Sequence, residues 1–205
     1  MPRRIDHEGR SRLIAEAVCR LADEHGLEGV TLRDVAARAG VSMGAVQRCF
    51  RTKEEMLLFT LGQIGDRIQE RLRARRLESP AQSAMTVLGH AATEIALLQE
   101  EHRAEARVWL AFLAQAAVST PLAKTLKANY AALEETFVRL LSEAVGTTGR
   151  ATAARDPRRE ARTLLALTDG LTAHVLIGHL TPQEAQDVLH AHLAGLWGAP
   201  GDPAP

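Results

Sequence analysis

The chain has 205 residues, and its 25 Lys and Arg balance 25 Asp and Glu to a formal net charge of zero. A chain this long buries roughly 70% of its unfolded surface, as one body or as a small head with a larger body. The balance excludes nucleic-acid affinity from bulk charge and leaves it to a local patch. Two cysteines, Cys19 and Cys49, suit neither a disulfide framework nor a metal site. The charged, polar start from Met1 to Arg12 is no secretory leader, and no apolar run reaches spanning length. A cytoplasmic protein with no membrane partner, no cofactor and no bound metal is expected.

Residues 8–25 carry Leu13, Ile14, Ala17, Val18 and Leu21 on one helical face, and Gly26 stops the helix. Arg3 and Arg4 precede it on an expected unstructured arm, either a minor-groove probe or a solvated tail. Thr31 and Asp34 then form a capping box, with Leu32, Val35, Ala36 and Ala39 at helical spacing and Gly40 as the stop. Ser42 caps a second short helix whose inward edge is Val46 and Phe50, leaving Met43, Gly44, Ala45, Gln47 and Arg48 outward. Two helices joined by so tight a glycine turn make a helix-turn-helix.

The outer face of the second helix suits a DNA groove. Gly44 and Ala45 let the backbone approach closely, Gln47 matches an adenine edge, and Arg48 matches guanine. Arg33, Arg38, Arg48, Arg51 and Lys53 outnumber Asp34 locally, a surface that attracts phosphate and releases counterions. Thr52 and Glu55 cap a long helix that ends near Arg76, with Leu57, Leu61, Ile64, Ile68 and Leu72 as its stripe.

These residues carry a resemblance. Gly29-Val30-Thr31, Ala36-Ala37, Ala39-Gly40-Val41-Ser42, Gly44, Phe50 and Lys53-Glu54-x-x-Leu57 together resemble the DNA-binding domain of the TetR family of bacterial transcriptional regulators. The family usually has Tyr at the position of Gln47 and Tyr or His at that of Cys49, so the contacts made there transfer less directly. The resemblance implies that Lys53 touches the DNA backbone. The expected DNA-binding set is Thr31, Arg33, Ser42, Met43, Gly44, Ala45, Gln47, Arg48 and Lys53, with Thr31, Ser42 and Lys53 on phosphates.

Beyond the long helix the body reads as amphipathic helices. Ser79-Pro80, with Gln82 closing a capping box, opens one through about Glu100, with Ala84, Val87, Leu88, Ala91, Ile95 and Leu98 inward. Another runs from about His102 to Val118 with Trp109, Leu110, Phe112, Leu113 and Ala116 on its apolar side. Thr120-Pro121 opens the next, lined by Leu122, Leu126, Tyr130, Leu133, Phe137, Leu140 and Ala144, before a polar loop over residues 146–155. Asp156-Pro157 opens a helix to about His179, and Thr181-Pro182, with Glu184 closing its box, opens the last. Residues 199–205 are expected to be a disordered tail.

The last helix repeats Ala185, Val188, Leu189, His192, Leu193, Leu196 and Trp197, and residues 164–178 are apolar nearly all round. Such helices need cover on every side, and a second copy of the chain supplies it as a four-helix interface. The TetR resemblance implies the same pairing. The expected interface is Leu171, His174, Val175, Gly178, Val188, Leu189, His192, Leu193 and Leu196. Asp169 within this segment needs a partner, either Arg103, Arg107 or a backbone donor, or else anchors a cationic ligand. His190 and His192 point to different sides of their helix and do not form a metal site.

Residues 103–112 and 164–176 also resemble the choline-responsive (BetI-type) subgroup of TetR regulators. Quaternary ammonium recognition uses an aromatic cage. Trp109, Phe112, Tyr130 and Phe137, with Ile64, Ile68, Leu88, Leu113 and Leu133, are either the lining of an effector pocket or plain core. The expectation is therefore an all-α protein that is not an enzyme. Residues 1–51 form a three-helix DNA-reading head, and residues 52–198 form a helical bundle that binds a small molecule and supplies a two-helix dimerisation face. Its partners are a palindromic double-stranded operator, an effector of unspecified identity and a second copy. The expected activity is repression relieved by the effector. A helical sensor that has lost DNA recognition, or an activator, is the alternative.

Overall fold

The hydroxyls and glycines that punctuate the sequence do start and stop its helices. The computed structural model describes residues 2–78, 83–148 and 156–196. Among these residues there are nine α-helices, one 3₁₀ turn and no strand, so the chain is all-α. The helices divide between two compact units. The first holds residues 1–68 and 104–129, and the second residues 69–103 and 130–205.

In the first unit, α1 (Pro2–His25) buries Ile14, Ala17 and Val18 completely. It begins at Pro2, so Arg3 and Arg4 belong to the helix and not to an unstructured arm. Gly26, at φ +71°, takes the left-handed turn that ends it. The Thr31 oxygen accepts from the Asp34 N–H, and its hydroxyl donates to the Asp34 carboxylate at 2.6 Å; α2 (Leu32–Ala39) starts there. Gly40, at φ +66°, closes α2 by donating to the Ala36 and Ala37 carbonyls. The Ser42 oxygen then accepts from the Ala45 N–H to open α3 (Met43–Cys49). Val30, Val35 and Val46 are fully buried against α1, and Phe50 packs on Phe59 with ring centroids 5.3 Å apart. Each buried valine or isoleucine contributes about 1.5–3 kcal/mol.

The Thr52 oxygen caps α4 (Lys53–Glu78) by accepting from the Glu55 N–H, while the Glu55 carboxylate reaches the Arg51 N–H. Met56, Leu57, Leu61, Ile64 and Ile68 form its buried face. α6 (Arg103–Ala116) buries Trp109 and Phe112 in this unit, and Arg107 pairs with Asp23 of α1 at 2.5 Å. A Cβ at Gly65 would lie 2.8 Å from the Asn129 amide, so glycine there is what lets α7 (Thr120–Thr148) come so close to α4.

In the second unit, α5 (Ala84–Ile95) is capped by Ser83. The expected opening at Ser79, Pro80 and Gln82 lies outside the described residues. The expected extent to Glu100 is cut short at Ile95, because Leu97 turns the chain at φ +48° before the 3₁₀ turn Glu100–His102. A left-handed leucine costs roughly 1–2 kcal/mol, which its burial at 4% exposure offsets. Glu94, 4% exposed, faces Arg71 of α4 at 2.8 Å, so its buried charge is paired. α7 runs to Thr148, past the loop expected from Gly146, because nothing before Thr148 breaks it. Asp156 caps α8 (Pro157–Leu176), and Thr172 of α8 donates to the Ala96 carbonyl at 2.7 Å. α8 stops at Leu176, short of the expected His179, since Gly178 turns at φ +75°. The Thr181–Glu184 capping box opens α9 (Pro182–Gly195) as the sequence predicts. The tail at residues 199–205, and Trp197 at the end of the expected stripe, lie outside the described residues.

Candidate nucleic-acid interface and ligand cleft

The outward face of α3 is built from residues four apart. Met43 and Gln47 are exposed on successive turns with Arg48 beside them, and the helix contains no acidic residue. Gly44 is half-buried, and the Arg48 guanidinium lies 3.6 Å from where a Gly44 Cβ would stand. Ala45 departs from the sequence expectation. It is 7% exposed and packs inward beside Val46, because a seven-residue helix needs both positions to seat it on α1 and α2. Cys49 is half-buried.

The positive patch is smaller than its sequence. Arg38 spends both guanidinium arms on Glu24 of α1 at 2.6 Å each. That pairing holds the Glu24 carboxyl below, and the Arg38 guanidinium above, their ordinary values. Arg33, Arg48 and Arg51 remain exposed, with no acidic partner among the described residues. Thr31 and Ser42 are exposed at the helix starts that they cap. The Lys53 ammonium donates to the Leu27 and Glu28 carbonyls at 2.9 and 3.2 Å. It staples the loop before α2, and one of its three donors is left over.

The residues expected to line a pocket are mostly core. Phe112, Leu88 and Phe137 are fully buried, and Ile68, Trp109 and Leu133 are nearly so. Trp109 and Phe112 belong to the first unit and Tyr130 and Phe137 to the second. Leu113 and Tyr130 are half-buried. The Tyr130 hydroxyl donates to the Asp169 carboxylate, so this phenol is one partner of Asp169; Arg107 also pairs with Asp23, and Arg103 faces Glu100.

Open space lies elsewhere. The second unit has a cleft of about 400 Å³ between α4, α5 and α7. Gln69, Leu72 and Arg73 line it from α4, and Val87, His90 and Ala91 from α5. From α7 come Ala132, Glu135, Thr136, Arg139 and Leu140. The first unit has a smaller cavity of about 190 Å³ beside Cys19 and Arg67, and Ile64 lines it. Burial raises the Cys19 thiol to about 11, against the pull of Arg67, so it stays a neutral packing group. Sequence reasoning missed the larger cleft. Its signal was available as polar residues four apart, Gln69 with Arg73 and Glu135 with Arg139, on helices otherwise read for their apolar stripes.

The last two helices use their apolar stripe inside the subunit. Leu171, Val175, Leu189, Leu193 and Leu196 are each at most 9% exposed. The exposed residues of α8 and of the turn after it include Ala166, Gly170, His174, Ile177 and Gly178, with Ile177 at 77%, and, nearer the start of α8, Arg158, Arg159, Arg162 and Thr163. The exposed residues of α9 include Val188, Ala191, Ala194 and Gly195 as well as the polar Gln183, Glu184, Asp187 and His190; His192 is half-buried and its Nε2 has no hydrogen-bond partner among the described residues. The His174 and His179 rings meet edge to face at the end of α8.

Comparison with known proteins places these features. Residues 14–58 match the model for bacterial regulatory proteins of the tetR family, and residues 84–198 match that for the C-terminal part of BetI-type transcriptional repressors. The chain is 31% identical over 179 residues to the HTH-type transcriptional regulator PksA of Bacillus subtilis, covering 86% of this chain and 83% of that protein. It is 29% identical over 193 residues to the HTH-type transcriptional regulator BetI 2 of Chromohalobacter salexigens, covering 90% and 86%. A transcriptional regulator from Rhodococcus sp. superposes with a TM-score of 0.78 at 30% identity, covering 91% of this chain and 95% of that one. A regulator from Saccharomonospora viridis solved in complex with choline superposes with a TM-score of 0.78 at 22% identity, covering 91% and 96%, a likeness of fold.

Proposed function

The chain belongs to the TetR family of bacterial transcriptional regulators, with a C-terminal region of the BetI type, and on that premise we propose how its residues divide the work. Residues 1–51 read operator DNA, and residues 52–198 bind an effector and pair two chains. Each subunit lays α3 in a major groove. Met43 meets a thymine methyl, Gln47 an adenine edge and Arg48 a guanine, while Arg33, Thr31, Ser42 and Lys53 hold phosphates. Gly44 gives the close approach; Ala45 supports the helix from within. The observation that carries this reading is the exposed Met43–Gln47–Arg48 face, free of acidic residues on a helix capped at both ends.

The pairing surface in this reading is the small-residue face of α8 and α9 around Gly170, Ile177, Val188 and Ala191, which lets helix axes come close. His174, Gly178 and His192 lie on or beside it. Two subunits held this way put their α3 helices a whole number of duplex turns apart, which is what a palindromic operator requires. The effector occupies the cleft between α4, α5 and α7, and it favours a subunit arrangement whose heads no longer match that spacing. It does so only by binding that arrangement more tightly, and operator DNA must weaken effector binding by the same factor. Repression relieved by the effector follows if the operator overlaps a promoter.

The test compares Met43→Ala and Gln47→Ala on the cognate operator and on unrelated duplex. Each substitution should cost about 1–3 kcal/mol on the operator and little on unrelated DNA. Equal losses on both would show that α3 holds DNA without reading it.

A further inference from the structure

The cleft between α4, α5 and α7 carries a charge pattern that points to a class of effector. Its floor is apolar, with Leu140 and Ala91 buried and Leu72 and Val87 half-buried. Its mouth carries Arg73, His90 and Arg139, all exposed. Neither arginine has an acidic partner among the described residues. The single acidic group among the described lining residues, Glu135, accepts from the Arg158 guanidinium at 2.7 Å, so its charge is already answered. The Thr136 hydroxyl proton goes to the Ala132 carbonyl at 3.0 Å, leaving its oxygen lone pairs and the Gln69 amide as the neutral polar groups. No Phe, Tyr or Trp lines the space among the described residues.

This arrangement is wrong for a quaternary ammonium ion. Such a cation is held by aromatic faces, and here it would meet two uncompensated guanidinium groups and no ring suited to it. The same arrangement suits the opposite charge. A guanidinium fork holds a carboxylate with paired, charge-assisted hydrogen bonds, and the apolar floor takes a hydrocarbon or aryl body. A cleft of about 400 Å³ lies in the lower part of the range for small-molecule sites.

We propose that the effector of this regulator is an amphipathic organic anion, its carboxylate between Arg73 and Arg139 and its apolar body on Leu72, Val87, Ala91 and Leu140. This rests on the reading of the cleft as the effector site.

The experiment is calorimetric titration of the full chain with octanoate and 4-butylbenzoate, and with 1-octanol and octyltrimethylammonium as uncharged and cationic counterparts. Three proteins are compared: the natural sequence, Arg73→Gln/Arg139→Gln, and Ala132→Trp, which fills the cleft from an exposed position. The carboxylates should bind at least about tenfold more tightly than either counterpart. The double substitution should erase that preference, and Ala132→Trp should abolish binding. If the alcohol or the ammonium binds as tightly and Ala132→Trp removes it, the anion assignment is overturned and the cleft reading survives. If Ala132→Trp leaves binding untouched, the cleft is not the site and both readings fall. Absence of carboxylate binding at millimolar concentration overturns the anion assignment.

Discussion

In the proposed reading Lys53 has two tasks at one atom. Its ammonium fastens the loop before α2 through the Leu27 and Glu28 carbonyls, and it stands at the start of α4, where the proposal places a phosphate. Lys53→Ala should therefore lower the free energy of unfolding by about 1–3 kcal/mol in a denaturant titration. It should also flatten the slope of log affinity against log salt by about one per half-site. An unchanged stability would deny the staple, and an unchanged slope would deny the phosphate. Ion pairs set a pH limit at the same scale. Arg38 holds Glu24 below its ordinary 4.5, and Arg162 and Arg158 do the same for Glu134. A carboxylate depressed in the folded state stabilises fully above its unfolded value and stops doing so as pH falls through the folded one. Melting temperature should thus fall as pH drops below about 4.5, and Glu134→Gln should make that fall shallower. A melting curve with the same acid limb in the variant would remove the pair from the account.

At the scale of elements, local chemistry was the most legible part of the sequence. Thr31, Ser42, Asp156 and Thr181 each cap the helix that they open, because a cap is decided by residues two or three apart. What a stripe packs against is decided elsewhere. Leu171, Val175, Leu189 and Leu193 form a convincing apolar face, and nothing in their spacing says whether the cover comes from the same subunit or another. The structure buries them within the subunit and leaves exposed Gly170, Ile177, Val188, Ala191 and Ala194, among polar residues such as Arg162, Asp187 and His190. The cleft is hidden for the same reason, since its lining comes from one turn each of α4 and α5 and a longer stretch of α7. The α8 face gives a clean test. A Cβ at Gly170 meets nothing within 4 Å, so Gly170→Arg fits the subunit and replaces a poor helix former with a good one. It should leave the melting temperature of the monomer unchanged or raised while preventing pairing in sedimentation equilibrium. A dimer of undiminished affinity would move the interface off this face.

For the whole molecule, the family fixes the kind of activity and the geometry supports a division of labour along the chain. In the proposed reading the neutral overall charge leaves operator affinity to Arg33, Arg48, Arg51 and Lys53, so binding should weaken steeply with salt and gain from having two heads on one duplex. No described helix is long and apolar enough to cross a membrane. The most direct measurement is the mass and footprint of the complex formed on duplex from the chain's own upstream region. The account predicts two chains, or a multiple of two, protecting two inverted half-sites whose centres lie about 34–36 Å or a multiple apart. A single chain per duplex, or protection that does not favour one sequence over another, would contradict it.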